Sequence, residues 1–168
     1  MIPFGAQSMT APLEHVLVKR PGHSFGAAFD DPAHGYRWEV DLAEAEREHD
    51  AFSSLLSRLG VAVHDLGVET ESPDLVYQYD PSLVTDRGAI LLRSGKPNRR
   101  GEEDAQGDWF TGNGIPIAGR IEPPGTVDGG DVFWLRPDVV CIGRSLRTNR
   151  SGIEQLEPLL GGEVHVFD

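Results

Sequence analysis

The chain has 168 residues, enough for one domain, and 39% of them are apolar, enough for a modest core. Its net charge of −12, from 27 acidic against 15 basic residues, argues against nonspecific binding to nucleic acid or to an anionic membrane surface. One cysteine, Cys141, excludes an internal disulfide, and no apolar run is long enough to span a bilayer. The first residues, MIPFGAQSMTAPL, have no basic region and no apolar stretch of a secretory leader, so the expected compartment is the cytoplasm. Residues 1–12 are expected to form a disordered tail ahead of a single domain over 13–168.

Three similar units follow in chain order. The first opens with His15–Val18 as a strand and continues through a polar, glycine-rich segment from Pro21 to Trp38. Asp41 then caps a helix, with Glu44 at capping-box spacing. Leu42, Ala45, Phe52, Leu55, Leu56 and Leu59 form its apolar stripe, and Gly60 ends it. Val61 to Leu66 returns as a strand. The second unit is predicted to have an alternating strand over Leu75–Asp80, a turn at Thr85-Asp86-Arg87-Gly88 and a strand over Ala89–Leu92. A weak helix from about Arg99 toward Phe110 and a strand over Ile115–Ala118 complete it. In the third, a hairpin spans Val132–Ile142, a helix spans Ser151–Leu160, and Val164–Val166 closes the unit. Pro158 predicts that this last helix is short or kinked.

Segments 83–93 (LVTDRGAILLR) and 132–144 (VFWLRPDVVCIGR) read as the same hairpin with different turns. Self-similarity at a period of roughly fifty residues points to stacked or radial repeats. The expected fold class is α/β (α+β), built from repeated ββαβ modules.

The stretch Thr126–Asn149 gathers charge around the third hairpin. Gly129 and Gly130 permit backbone angles that a Cβ would forbid, which puts Asp128 and Asp131 at a tight bend. Arg144 and Arg147 follow the second strand. Carboxylates and arginines at one rim suit a small ligand carrying both charges, and they equally suit a solvated rim. Elsewhere, Asp74 after Pro73 also fits a simple turn, and Asp80 before Pro81 fits a strand end. Arg99 also fits a helix cap or an ion pair with Glu102 or Glu103.

PDLVYQYDPSLVTDRGAILLRSGKPNRRGEE (73–103), GGD (129–131) and GRSLRTNRSG (143–152) resemble dimethylarginine dimethylaminohydrolase and, more broadly, the guanidino-group-modifying superfamily of arginine deiminases and amidinotransferases. The three blocks occur in the family's order and spacing, and the match runs from about Leu13 onward. The resemblance implies a five-bladed α/β propeller of ββαβ modules, of which this chain holds about three. It implies that Asp80 pairs with a substrate guanidinium, since a planar fork of N–H groups suits a carboxylate. It makes Asp74 a second acidic ligand near the substrate's amino group, and Arg99 and Arg147 the candidates for its α-carboxylate. Asp128 matches the acid of a Cys-His-Glu/Asp triad, and Pro21–Trp38 matches a mobile lid. The implied partner is a small cationic guanidino substrate. The implied chemistry is attack by a cysteine thiolate on the guanidinium carbon, loss of an amine, and hydrolysis to a ureido product such as citrulline. It uses no cofactor and no metal.

Two departures stand out. Tyr79 occupies a position where many family members carry a carboxylate. The family's catalytic histidine and cysteine fall in modules after the one that closes here. Cys141 lies in the apolar strand VVCIG, where a free thiol behaves as a small hydrophobe, and His165 alternates with Val164 and Val166 on a closing strand. Neither is expected to replace them. The expected function is therefore the N-terminal portion of a guanidino hydrolase, inactive by itself, with partnership by a complementing C-terminal chain or self-association through exposed module edges. A noncatalytic module for arginine-like ligands and an inactive remnant are the alternatives.

Overall fold

The structure, a computed structural model, describes residues 2–168, and these divide into two compact units. The smaller is Pro12–Gln78; the larger is Tyr79–Asp168 with residues 2–11.

The smaller unit pairs β1 (His15–Val18) with β2 (Ala62–Asp65) in parallel, Val16 opposite Val63. Between them run the short α1 (His23–Gly26), a 3-10 turn at Pro32–His34, and the long α2 (Leu42–Arg58). Asp41 caps α2 as expected: its Oδ1 accepts the Glu44 N–H at 3.0 Å. The Glu44 carboxylate turns to Arg47 instead of closing the box. The apolar stripe differs from expectation, because no residue of α2 is buried and Phe52, Leu55 and Leu59 are exposed. A helix of this length runs about 25 Å at 1.5 Å per residue, whereas four-residue strands cover about half of that.

The larger unit contains two ββαβ modules. In the first, β3 (Ser82–Thr85) and β4 (Gly88–Leu91) form an antiparallel hairpin, α3 (Glu102–Gly112) follows, and β5 (Ile117–Arg120) joins β4 in parallel. In the second, β6 (Val132–Arg136) and β7 (Val139–Gly143) form the hairpin, followed by α4 (Arg150–Leu160) and β8 (Glu163–Phe167), which is parallel to β7. One cluster unites both modules: Leu83, Ile90 and Leu92 pack with Val132, Trp134, Val140, Ile142, Ile153 and Leu156. The self-similarity of the two hairpins is thus a repeat in space as well as in sequence.

Several boundaries move. Leu75–Asp80 is not a strand. Pro73 starts a 3-10 turn over Pro73–Val76, and the strand begins only after Pro81. Two prolines preset φ and remove ladder donors at both ends of that segment. The helix expected from Arg99 starts at Glu102, because Gly101 takes φ 99° and separates it from a turn at Pro97–Arg99. The closing strand lies at Ile117–Arg120 and not at Ile115–Ala118. Pro158 does not shorten α4. It removes only the N–H that would bond the Glu154 carbonyl, on the exposed side of the helix. The N-terminal segment expected to be disordered is hydrogen-bonded in part: Ala6 N–H donates to Val84 O at 2.9 Å, and Asp86 N–H donates to Gln7 Oε1 at 2.8 Å. Among the described residues no helix is long and apolar enough to cross a membrane.

Candidate functional site

Four loops of the larger unit carry Asp80, Arg99, Asp128 and Arg147 and are tied together by short bonds. Asp80 ends the loop before β3, and its carbonyl accepts the Gly129 N–H at 3.0 Å. This contact explains Gly129 better than backbone angle does, since neither Gly129 nor Gly130 has a positive φ. A Cβ on Gly129 would overlap the Tyr79 carbonyl. Gly129→Ala is therefore expected to destabilise the fold by about 3 kcal/mol, the upper end for overpacking. Urea denaturation checks this, and an unchanged midpoint would contradict the close approach.

Arg99 is buried, 4% exposed, and its fork is already engaged. Nε and Nη2 donate to Glu102, with Nη2 to Oε2 at 2.8 Å, while Nη1 donates to Asp80 Oδ2 at 2.6 Å. Burial works against this charge, but Glu102 and then Asp80 outweigh it and raise the guanidinium above its ordinary range. Of the two glutamates considered as partners, Glu102 takes the ion pair, while Glu103 accepts the Gly101 N–H at 2.9 Å. Arg99 thus fixes Asp80 in place. A role in holding a ligand carboxylate would have to coexist with those bonds.

Asp128 is 1% exposed. Its Oδ1 accepts the Gly130 N–H at 3.0 Å, capping the 3-10 turn Gly129–Asp131. Its Oδ2 is buried and has no hydrogen-bond partner; Arg147 Nη1 lies 3.3 Å away as an ion pair. Burial, and then the charge of Asp80, push the Asp128 carboxyl above the usual carboxylate range, against Arg147, the Gly130 N–H and Arg99. Folded chains therefore bind this proton more tightly than unfolded ones. Stability falls as pH rises from the ordinary carboxylate value through the raised one, by about 1.4 kcal/mol per unit of displacement. Asp128→Asn is expected to melt higher than wild type above that window, and the difference should vanish below it. Thermal melts of both across pH check this. A gap that does not change with pH would contradict it.

Asp131, read from the sequence only as a rim carboxylate, holds this arrangement together with Ser145 and Thr148, to which sequence reasoning gave no role. Asp131 Oδ2 accepts the hydroxyls of Ser145 at 2.7 Å and Thr148 at 2.6 Å. Thr148 Oγ1 in turn accepts the Asp128 N–H, and Ser145 Oγ accepts the Arg147 N–H, both at 3.0 Å. The signal was available in SLRTN, where a serine and a threonine bracket the arginine. Tyr79, the departure from the family pattern, donates its hydroxyl to Val132 O at 3.2 Å, and burial raises its phenol.

Asp74 belongs to the smaller unit. It is 6% exposed in the turn Pro73–Val76, and its Oδ1 accepts the Tyr36 hydroxyl at 3.1 Å. Burial, followed by the charge of Asp74, raises the Tyr36 phenol. Tyr36 lies in the segment expected as a lid and meets Phe25 edge to face.

Cys141 is 3% exposed, as expected of a buried thiol, but it lies on the sheet face opposite the core cluster. The register places Phe133 on one side of it and His165 on the other. His165 is half exposed, with Nε2 3.2 Å from Glu163, and among the described residues no hydrogen bond joins it to the thiol. Among the described residues no group of three or more His, Cys, Asp or Glu side chains is placed to hold a metal ion.

The arginine deiminase family pattern matches residues 68–163, more than half of the chain and every site residue of the larger unit. The chain belongs to the arginine deiminase family. Within the wider superfamily it is 32% identical over 151 residues to the dimethylarginine dimethylaminohydrolase of Pseudomonas aeruginosa, a match covering 88% of this chain and 56% of that protein. The dimethylarginine dimethylaminohydrolase of Streptomyces coelicolor is 30% identical, covering 88% and 57%. The chain spans about half the length of the curated relatives it matches. Among solved structures, the Pseudomonas aeruginosa enzyme complexed with citrulline superposes with a TM-score of 0.78 at 31% identity, over 93% of this chain and 62% of that one. The N-terminal domain of a cyanobacterial arginine dihydrolase superposes at 0.79 with 18% identity and bears on the fold alone. This member of the family therefore has the propeller-like α/β fold of ββαβ modules.

Proposed function

We propose that this chain carries the guanidinium-holding part of a hydrolase acting on the guanidino group of arginine or a methylated arginine. The observation that carries the reading is Asp128 Oδ2, a buried acceptor with no hydrogen-bond donor, next to the Arg99-anchored carboxylate of Asp80. A guanidinium is planar, cationic and rich in donors, and it satisfies such a pair of carboxylates better than a point charge does. Held there, it is oriented and polarised for attack at its carbon, and Arg147 is the candidate for the carboxylate at the far end of the ligand. The relatives' names, dimethylarginine dimethylaminohydrolase, support a guanidine as substrate.

The nucleophile is not Cys141 on this reading. A thiol that attacks needs thiolate character and access, and Cys141 is enclosed in β7. The described residues by themselves then bind guanidines without turning them over, and turnover requires a thiolate and a histidine beyond them. A citrulline colour assay tests this on the chain beside Cys141→Ala. Neither should release citrulline from arginine or dimethylarginine. Turnover by wild type that is abolished in Cys141→Ala would make Cys141 the nucleophile and favour a dyad with His165.

A further inference from the structure

Two features of Arg147 bear on which guanidines the site accepts. Its backbone is fixed. Arg147 N–H donates to Ser145 Oγ, Thr148 N–H donates to the same oxygen at 3.1 Å, and Ser145 N–H donates to Thr148 O at 3.0 Å. Asp131 anchors both hydroxyls. The loop also lies against Gly95, where a Cβ would come within 2.8 Å of Arg147 Cα. The side chain, by contrast, is half exposed, and its contact with Asp128 Oδ2 at 3.3 Å is an ion pair without a hydrogen bond. A firmly held base thus carries a loosely held guanidinium, on the carboxylate oxygen that the proposed function reserves for a ligand guanidinium.

We infer that Arg147 is a specificity-determining residue that competes with the ligand for Asp128, and that its displacement frees it to receive a carboxylate at the ligand's other end. This rests on reading Asp80 and Asp128 as guanidinium-holding carboxylates. Every incoming guanidinium must displace Arg147 from Oδ2, which costs part of an ion pair. A ligand with an α-carboxylate offsets that cost by re-pairing Arg147 with its own anion. A guanidine without a carboxylate does not. The same side chain therefore opposes one class of ligand and favours the other. The charge of Arg147 also lowers the Asp128 carboxyl against the effects that raise it, in keeping with a direct interaction.

The test is calorimetric titration of wild type, Arg147→Ala and Asp128→Asn with arginine and with agmatine, the same guanidine without the carboxylate. Arg147→Ala should bind agmatine about threefold to tenfold more tightly and arginine at least about tenfold more weakly. Opposite signs are the signature, because loss of a simple carboxylate contact moves only arginine and a folding defect weakens both. Carbon-13 NMR titration of the Asp128 carboxyl gives a ligand-free check: its midpoint should rise in Arg147→Ala. Agmatine affinity unchanged or weakened, or an unmoved Asp128 midpoint, overturns the inference alone, provided Asp128→Asn weakens both ligands. If wild type binds neither ligand, or Asp128→Asn leaves both affinities unchanged, the carboxylate reading itself falls, and the inference falls with it.

Discussion

Asp80→Asn is expected to weaken binding of arginine or dimethylarginine by about 1.5–3 kcal/mol, which is about tenfold to about 150-fold in affinity. The substitution keeps the shape and removes the charge from a charge-assisted pair in a mostly enclosed position, where the side chain is 20% exposed. It also weakens the 2.6 Å bond from Arg99 Nη1, so a modest loss of stability should accompany the loss of affinity. Calorimetry of ligand binding and urea denaturation, run on the same preparations, separate the two effects. Equal affinity for wild type and variant would remove Asp80 from the site.

Arg99→Ala is expected to have the largest effect on stability. Arg99 and Glu102 are both buried, and removing one partner of a buried ion pair costs about 3–5 kcal/mol because the other charge loses its counter-ion. Arg99→Lys should recover only part of this, since an ammonium cannot donate in parallel to Glu102 while also reaching Asp80. Arg99→Met with Glu102→Leu should recover more than Arg99→Ala alone, because apolar partners leave no stranded charge. Urea midpoints of the three variants order these cases. A loss below about 1 kcal/mol in Arg99→Ala would mean the pair behaves as a surface salt bridge.

The sequence made the third module legible because its signals were local. Alternation in Val132–Leu135, the apolar run Val139–Ile142 and the helix expected over Ser151–Leu160 each depend on a few neighbouring residues, and all three stand in the structure, the helix as Arg150–Leu160. Leu75–Asp80 misled because alternating apolar residues fit a bracketed turn as well as a strand, and the two prolines outweighed the alternation. Arg99 shows the limit for the site. Its i+3 neighbour Glu102 was visible as a partner, but that both would be buried, with Asp80 as the third member, depends on packing across nineteen positions. Asp131 was visible at the bend, yet its work of joining Ser145 to Thr148 depends on two loops brought together by the hairpin between them. Gly129 was singled out correctly and for the wrong reason. Sequence reasoning looked to backbone angle, while the structure requires space against the Tyr79 carbonyl.

The central claim is that Asp80 and Asp128 together hold a guanidinium. Carboxyl carbon-13 NMR of the chain during titration with arginine tests it most directly, with both signals assigned through Asp80→Asn and Asp128→Asn. The account predicts that both carboxyl signals move saturably and with one common affinity. The Asp128 titration midpoint should fall at the same time, as a cation meets its buried Oδ2. Arginine that perturbs other carboxylates while leaving these two unmoved would contradict it.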